Sequence, residues 1–245
     1  MTFVKSRWRS ERMQSDSTLC RWGHFGQPVL IFPTAGGDAE EIERFLMLRV
    51  LDPLVSTGRI KVYSCDSVAG KAWFSKEGTP GHRMWLTNQF HQYVKHEVVP
   101  AIRKDCGNPE ATIWTSGASI GAFHAVAVTC RFPELFSRAL AMSGTYNLMR
   151  FIETDRYSED YAVSSPLQFV PTLSGPHLDR LRKNFILFAS GAGKAENMGE
   201  TWAMANVLGQ KGIPNRVDPW GPKVDHDWMT WRKMLPQYLT EWLAV

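Results

Sequence analysis

Ser119 lies at the centre of Gly117-Ala118-Ser119-Ile120-Gly121, directly after the β-branched, apolar run Thr112-Ile113-Trp114-Thr115. An Ala- and Val-rich run follows as far as Cys130 and stops at Arg131-Phe132-Pro133, where proline closes a helix. A strand, a tight bend and a helix in that order lift the serine hydroxyl above the end of a sheet, the geometry of a nucleophile elbow. Gly117 and Gly121 suit the bend because a Cβ at either place would press on neighbouring backbone. The pentapeptide alone recurs by chance in roughly one chain in ten of this size, so its flanks carry the specificity.

A serine hydroxyl is a weak nucleophile at neutral pH until a positioned base takes its proton, and that base needs an orienting acid. In elbow-type enzymes both partners follow the serine in the chain. Beyond the elbow helix the histidines are His177 and His226. His226 occupies the loop Trp220-Gly221-Pro222-Lys223-Val224-Asp225-His226-Asp227-Trp228, after the last expected strand and before the last helix, where a base reaches over the sheet edge. His177, between Pro176 and Leu178, reads as a surface residue. The acid is expected after the strand Asn184 to Ser190, where Glu196 is the first carboxylate and Glu200 the fallback. Asp218 and Asp225 are further alternatives, and Asp227 suits a helix cap. For the oxyanion of an acyl-transfer intermediate, the backbone N–H of Ile120 supplies one donor and Ala35 or Gly36 the second.

These groups need a scaffold that brings strand ends together. Two short antiparallel strands are expected around Arg7 to Met13 and Thr18 to Trp22. Buried strands follow at Pro28 to Phe32, Ile60 to Cys65, Thr112 to Thr115, Ser137 to Ser143, Asn184 to Ser190 and Asn215 to Trp220. Helical periods fill the intervals: Ile42 to about Pro53, then Trp85 to Lys104 with Trp85, Phe90, Val94 and Val98 on the buried side. Later come Met198 to Leu208 with Trp202 on the stripe, and Trp228 to Trp242 with a bend at Pro236. His82 and His91 read as surface histidines of the second helix. The alternation predicts an α/β class with a doubly wound, mostly parallel sheet, N-terminal antiparallel strands and one domain over 1–245. Residues 144–183, aromatic without a single period, form a lid-like or pocket-wall insertion.

With 245 residues and 44% hydrophobic content the chain can bury a substantial core. A net charge of +4, scattered beyond Lys5, Arg7, Arg9 and Arg12, gives no nucleic-acid groove. No apolar stretch approaches a membrane span and residues 1–15 have no signal-like apolar core, so the expectation is a cytoplasmic protein without a membrane partner. Cys20, Cys65, Cys106 and Cys130 lack metal or redox spacing, and Cys65 and Cys130 read as buried thiols. His96-Glu97 has no second histidine, Gly70-Lys71 fails as a phosphate loop, and Gly191-Ala192-Gly193 lacks the third glycine of a dinucleotide site. No metal or organic cofactor is called for. A homo-oligomer is compatible with the sequence.

The elbow, the Ala35-Gly36-Gly37 loop and His226-Asp227-Trp228-x-x-Trp231-Arg232 together resemble the putative-esterase family of α/β hydrolases. Phe132-Pro133-Glu134-Leu135-Phe136 and Ser143-Gly144-Thr145-Tyr146 add to the likeness, which runs from Gly26 to the last helix. That family includes feruloyl and acetyl-xylan esterases and S-formylglutathione hydrolases, and small bacterial esterases are the nearest subgroup. The resemblance implies an α/β-hydrolase fold, Ser119 as nucleophile, His226 as base and an acid in the Gly191–Glu196 loop. It departs from the family at Asp225, where glycine is common, at Glu196, where many members have aspartate, and at Pro33-Thr34, where many carry His-Gly. The expected activity is hydrolysis of small-molecule carboxylic esters through an acyl-enzyme. An acyltransferase with an alcohol or sugar acceptor, and a non-catalytic binding protein, are the rival readings.

Overall fold

The computed structural model describes residues 1–152 and 157–244. The strands are β1 (Phe3–Ser10), β2 (Ser15–Trp22), β3 (Gln27–Phe32), β4 (Ile60–Cys65), β5 (Ile113–Ala118), β6 (Phe136–Met142), β7 (Phe185–Ser190) and β8 (Asn215–Pro219). They form an eight-stranded sheet in the order β1-β2-β4-β3-β5-β6-β7-β8. The β1–β2 and β2–β4 pairs are antiparallel, and every pair from β4–β3 through β7–β8 is parallel. The helices are α1 (Glu41–Arg44), α2 (Met47–Ser56), α3 (Val68–Ser75), α4 (Pro80–Tyr93), α5 (Val99–Asp105) and α6 (Ile120–Arg131), then α7 (Glu159–Ser164), α8 (Pro166–Phe169), α9 (Gly175–Leu181), α10 (Met198–Gln210) and α11 (Trp228–Leu243).

Period-two alternation along the strands sorts the core into layers. On β3, Val29 and Ile31 pack toward α2 and α11, with Leu51, Leu235 and Leu239. Leu30 and Phe32 face the other way, toward Phe90 of α4 and Ala125 and Val128 of α6. This double coverage makes the central strands nearly continuous apolar runs. The elbow strand β5 sits between β3 and β6, so the loops after all three meet at one end of the sheet.

Several boundaries differ from the sequence expectation. The first strand is Phe3–Ser10, and Ser10 already faces Ser15, so Glu11 to Gln14 form the turn and Gln14 takes φ 51°. The first helix breaks at Leu46, φ 60°, into α1 and α2, whereas Pro53 lies inside α2 on its solvent side. Trp85 is 40% exposed. Met84, Leu86, Phe90 and Tyr93 make the buried face of α4, and Trp85 stands beside His82 outside it. A π-helical turn at Val94–Val98 then resets the helical phase before α5, which no single period spans. Trp202 of α10 is also exposed, and Met204, Ala205 and Leu208 make that contact instead. Helix α3 was not read from the sequence at all. Within the 144–183 insertion, residues 153–156 lie outside the described ones.

His91 is buried, not on the surface. Its Nδ1 faces an Arg131 guanidinium nitrogen at 3.1 Å, and its Nε2 lies 3.0 Å from His124 Nδ1. Arginine has no lone pair to offer, so His91 Nδ1 accepts, His91 Nε2 carries the proton and donates, and His124 Nδ1 accepts. Arg131 also donates to Asn88 at 2.8 Å, and Asn88 donates to Asp160 of α7 at 2.7 Å. The elbow helix is thereby fixed to α4 and to the insertion by one directional chain.

Both imidazoles are held neutral. Burial pulls His124 down to about 3, and burial followed by the Arg131 charge pulls His91 well below its ordinary value. The unfolded chain therefore binds more protons than the folded one below about pH 6.5. Stability is expected to be full above that pH and to fall as the solution is acidified, by up to about 1.4 kcal/mol per pH unit for each histidine. Urea unfolding between pH 7 and 4.5 checks this. A profile that stays flat, or rises on acidification, contradicts the buried neutral pair.

Candidate active site

Ser119 follows the last residue of β5 with φ 59° and ψ −122°. A side-chain-bearing residue in that region costs about 1–3 kcal/mol and persists only where its surroundings hold it. Its N–H donates to the Met142 carbonyl at 3.0 Å, and its carbonyl accepts from Ala122 and Thr145, each at 3.2 Å. A Cβ on Gly121 would stand 2.5 Å from the Phe32 oxygen and 2.7 Å from that of Pro33; one on Gly117 would stand 2.4 Å from the Gly121 carbonyl carbon. The bend is possible because α6 lies directly against the end of β3. Among the described residues the Ser119 hydroxyl makes no hydrogen bond.

Glu196 and His226 come together from the loops after β7 and β8. Glu196 Oε2 is 3.6 Å from His226 Nδ1, with 1% of the glutamate side chain and 22% of the histidine side chain exposed. The carboxylate accepts the Ser143 hydroxyl at 2.5 Å through Oε1 and the Ser190 hydroxyl at 3.1 Å through Oε2. Trp231 donates its indole N–H to Ser143 Oγ at 2.9 Å and sets its ring edge-on to His226, centroids 5.1 Å apart. Trp231 thus does more than the packing its spacing suggested, and Ser143, Ser190 and Trp231 went unassigned in the sequence. The available signal was positional: Ser143 follows directly on β6, the neighbour of the elbow strand, and Ser190 ends β7, the next strand along.

The two loops are stitched along their backbones. Ala192, Gly193 and His226 N–H groups reach Gly221, Val224 and Lys194 carbonyls at 2.9, 3.0 and 3.1 Å. Asp225 accepts the Lys194 N–H at 2.7 Å. A Cβ on Gly191 would meet the Val224 oxygen at 2.0 Å, and one on Gly193 the Asp225 carboxylate at 2.3 Å. The Gly191-Ala192-Gly193 segment therefore permits close contact between loops rather than phosphate binding. Asp225 belongs to this stitch. Asp227 caps α11 by accepting from Thr230 N at 2.8 Å, as expected, and Asp218 pairs with Arg216. Glu200 is drawn off to the loop after β6, where it accepts Tyr146 N at 2.6 Å and Asn147 N at 3.1 Å and pairs with Arg150. His177 is anchored at the Cys130 carbonyl, 2.9 Å away.

Ile120 opens α6, where its N–H has no acceptor within the helix. The loop after β3 is built around the buried Glu41 carboxylate, which accepts both the Thr34 N–H at 2.7 Å and the Thr34 hydroxyl at 2.5 Å. Burial is the largest effect on that carboxyl and pushes it above the ordinary range. Gly37 donates to the Thr34 carbonyl, while Ala35 and Gly36 N–H groups bond to nothing among the described residues. Ala35, Ser119 and Ile120 line one cavity of about 190 Å³ with Trp73, Phe74, Lys76, Thr145, Leu148 and Phe151. Gly36 stands outside that lining, near the Phe74 ring. A larger hollow of about 510 Å³ beside Lys95, Arg103 and Leu135 shares no residue with it. Size does not select the site; the chemistry does.

A strained serine at the end of a central parallel strand, with a carboxylate and a histidine on the loops two and three strands along, fits the α/β-hydrolase class. The profile of the Putative esterase family matches residues 54–241, and the chain belongs to that family. No curated protein sequence matches it. The fold is similar to that of a ferulic acid esterase (TM-score 0.72, 18% identity, 97% of this chain and 95% of that one). It is also similar to an S-formylglutathione hydrolase from Agrobacterium tumefaciens (0.73, 14%, 99% and 94%). A third similar structure is the S-formylglutathione hydrolase FrmB from Staphylococcus aureus (0.67, 12%, 100% and 99%). Among the described residues no helix is long and apolar enough to cross a membrane.

The Trp231–Ser143–Glu196 chain generates a test. Ser143→Ala leaves the buried carboxylate short of its closest donor, which is worth about 1–3 kcal/mol. Ester turnover is expected to fall roughly tenfold or more in kcat with KM little changed, in a protein whose circular dichroism is that of the wild type. Unaltered kcat would mean that the hydroxyl's hold on the Glu196 carboxylate does not matter to turnover.

Proposed function

We propose that this protein hydrolyses carboxylic esters through an acyl-enzyme, with Ser119 as nucleophile, His226 as base and Glu196 as the orienting acid. The observation that carries the reading is the buried Glu196 carboxylate facing His226 Nδ1 at 3.6 Å, on loops at the sheet end to which β5 also delivers Ser119 in a left-handed bend. With Nδ1 turned toward Glu196, the lone pair of Nε2 is the one that meets the serine proton. As Ser119 Oγ forms its bond to the ester carbonyl carbon, the proton passes to His226 and the carbonyl oxygen becomes an oxyanion. The Ile120 N–H and that of Ala35 or Gly36 are the donors in reach of that charge.

Collapse of the intermediate breaks the bond to the alcohol, which leaves with the proton from His226. Water then attacks the acyl-serine, giving its proton to His226 and returning it to Oγ as the acid departs. The gap of 3.6 Å is longer than a good hydrogen bond and closes as the imidazolium forms, since unliganded sites commonly hold such contacts loosely. No step uses a metal or organic cofactor.

Ser119→Ala is expected to lower turnover of 4-nitrophenyl butyrate by at least about a thousandfold and to abolish labelling by a fluorophosphonate probe. Thermal unfolding should be unchanged or raised, because alanine removes no buried bond. Retained activity in that variant would overturn the assignment.

A further inference from the structure

We propose that the acyl half of the substrate ends in a carboxylate, recognised by Lys76 in the lining of the Ser119 cavity. The inference rests on the serine-hydrolase reading and names its substrate class. Which half of the ester the cavity takes follows from its walls. The leaving alcohol must depart beside His226, which gives it a proton. Ser119, Ile120 and Ala35 line the cavity and His226 does not, so the space belongs to the acyl half. The aromatic and aliphatic side chains of Trp73, Phe74, Leu148 and Phe151 make its walls apolar.

Volume then bounds the group. An apolar cavity of about 150 Å³ is filled by one benzene, so about 190 Å³ takes a single ring or a chain of about six carbons. Lys76 lines the same cavity as Ser119 and is the cationic side chain in its lining. Lys76 is the residue after α3 and holds a left-handed conformation, φ 54°, which a glycine would adopt without strain. Arg150, on the neighbouring loop, is already paired with Glu200. Lys76 makes no ion pair among the described residues. A cation in the lining of an otherwise apolar slot discriminates between acyl chains that end in a charge and those that end in a methyl group.

The test compares mono-4-nitrophenyl adipate with 4-nitrophenyl hexanoate, equal in chain length and differing in the terminal carboxylate. The wild type should prefer the adipate in kcat/KM. Lys76→Gln should lower kcat/KM for adipate roughly three- to fivefold more than for hexanoate, the range an exposed ion pair supports. Lys76→Glu should reverse the preference, and 0.5 M sodium chloride should narrow it in the wild type only. Equal changes on both esters, or a preference that survives Lys76→Gln, overturn the proposal. If both esters are cleaved in a Ser119-dependent way without that charge dependence, the hydrolase reading stands and only the carboxylate is wrong. If neither is cleaved and Ser119 resists fluorophosphonate, the underlying reading fails and the proposal falls with it.

Discussion

The site depends on one backbone conformation, the left-handed bend at Ser119. Nothing in a serine favours φ 59°; the surroundings impose it. The bend is clamped by three backbone hydrogen bonds to Met142, Ala122 and Thr145, two of which involve the end of β6 and the loop after it. It is also clamped by the contact of α6 with Phe32 and Pro33, which only glycine at 121 admits. The clamp works because β5 has a parallel neighbour on each side, so its end cannot relax sideways. The order β3-β5-β6 is thus part of the chemistry, and the apolar layers that bury both faces of those strands hold the hydroxyl in place.

A second constraint brings the other two groups together. The loops after β7 and β8 touch so closely that glycine is required at 191 and 193, and main-chain bonds tie each loop to the other. Movement of one loop therefore carries the other with it. The relation between Glu196 and His226 is preserved even though each sits on a connection rather than on a strand or helix. Trp231, from the first turn of α11, reaches both Ser143 and His226 and ties this pair back to the strand end beside the elbow.

What the sequence disclosed follows the range of the physics involved. The elbow was legible because its requirements are local: glycine at fixed offsets, a β-branched run before and a small-residue helix after. The parallel strands were legible because double burial leaves uninterrupted apolar runs. Helix α3 was not, since Val68 to Ser75 contains a glycine and has no clean period, and its fold rests on a Ser67 cap and on packing of Trp73. Yet it supplies Trp73 and Phe74 to the cavity, and Lys76 follows directly on its end. His91 was placed on the surface because a histidine in a helical run usually belongs there. Its burial depends on His124 and Arg131, more than thirty residues away in the chain, and no local pattern records that pairing. Asp225 departed from the family glycine for a reason equally remote, the N–H of Lys194.

The two glutamates of the acid loop show how environment divides one residue type into two roles. Glu200 meets two backbone N–H groups and the Arg150 guanidinium, so its charge is neutralised where it stands. Glu196 is more deeply buried, yet its partners are neutral hydroxyls and the nearest ionisable group is the imidazole. Hydroxyl donors satisfy the oxygens without cancelling the negative charge. With 1% of the Glu196 side chain exposed, that charge is screened little and falls first on the imidazole 3.6 Å away. An arginine at the position of Ser143 would hold the carboxylate at least as firmly and would neutralise the charge that faces His226. The choice of serine and tryptophan around Glu196 therefore fits a carboxylate whose charge is kept available for the imidazole.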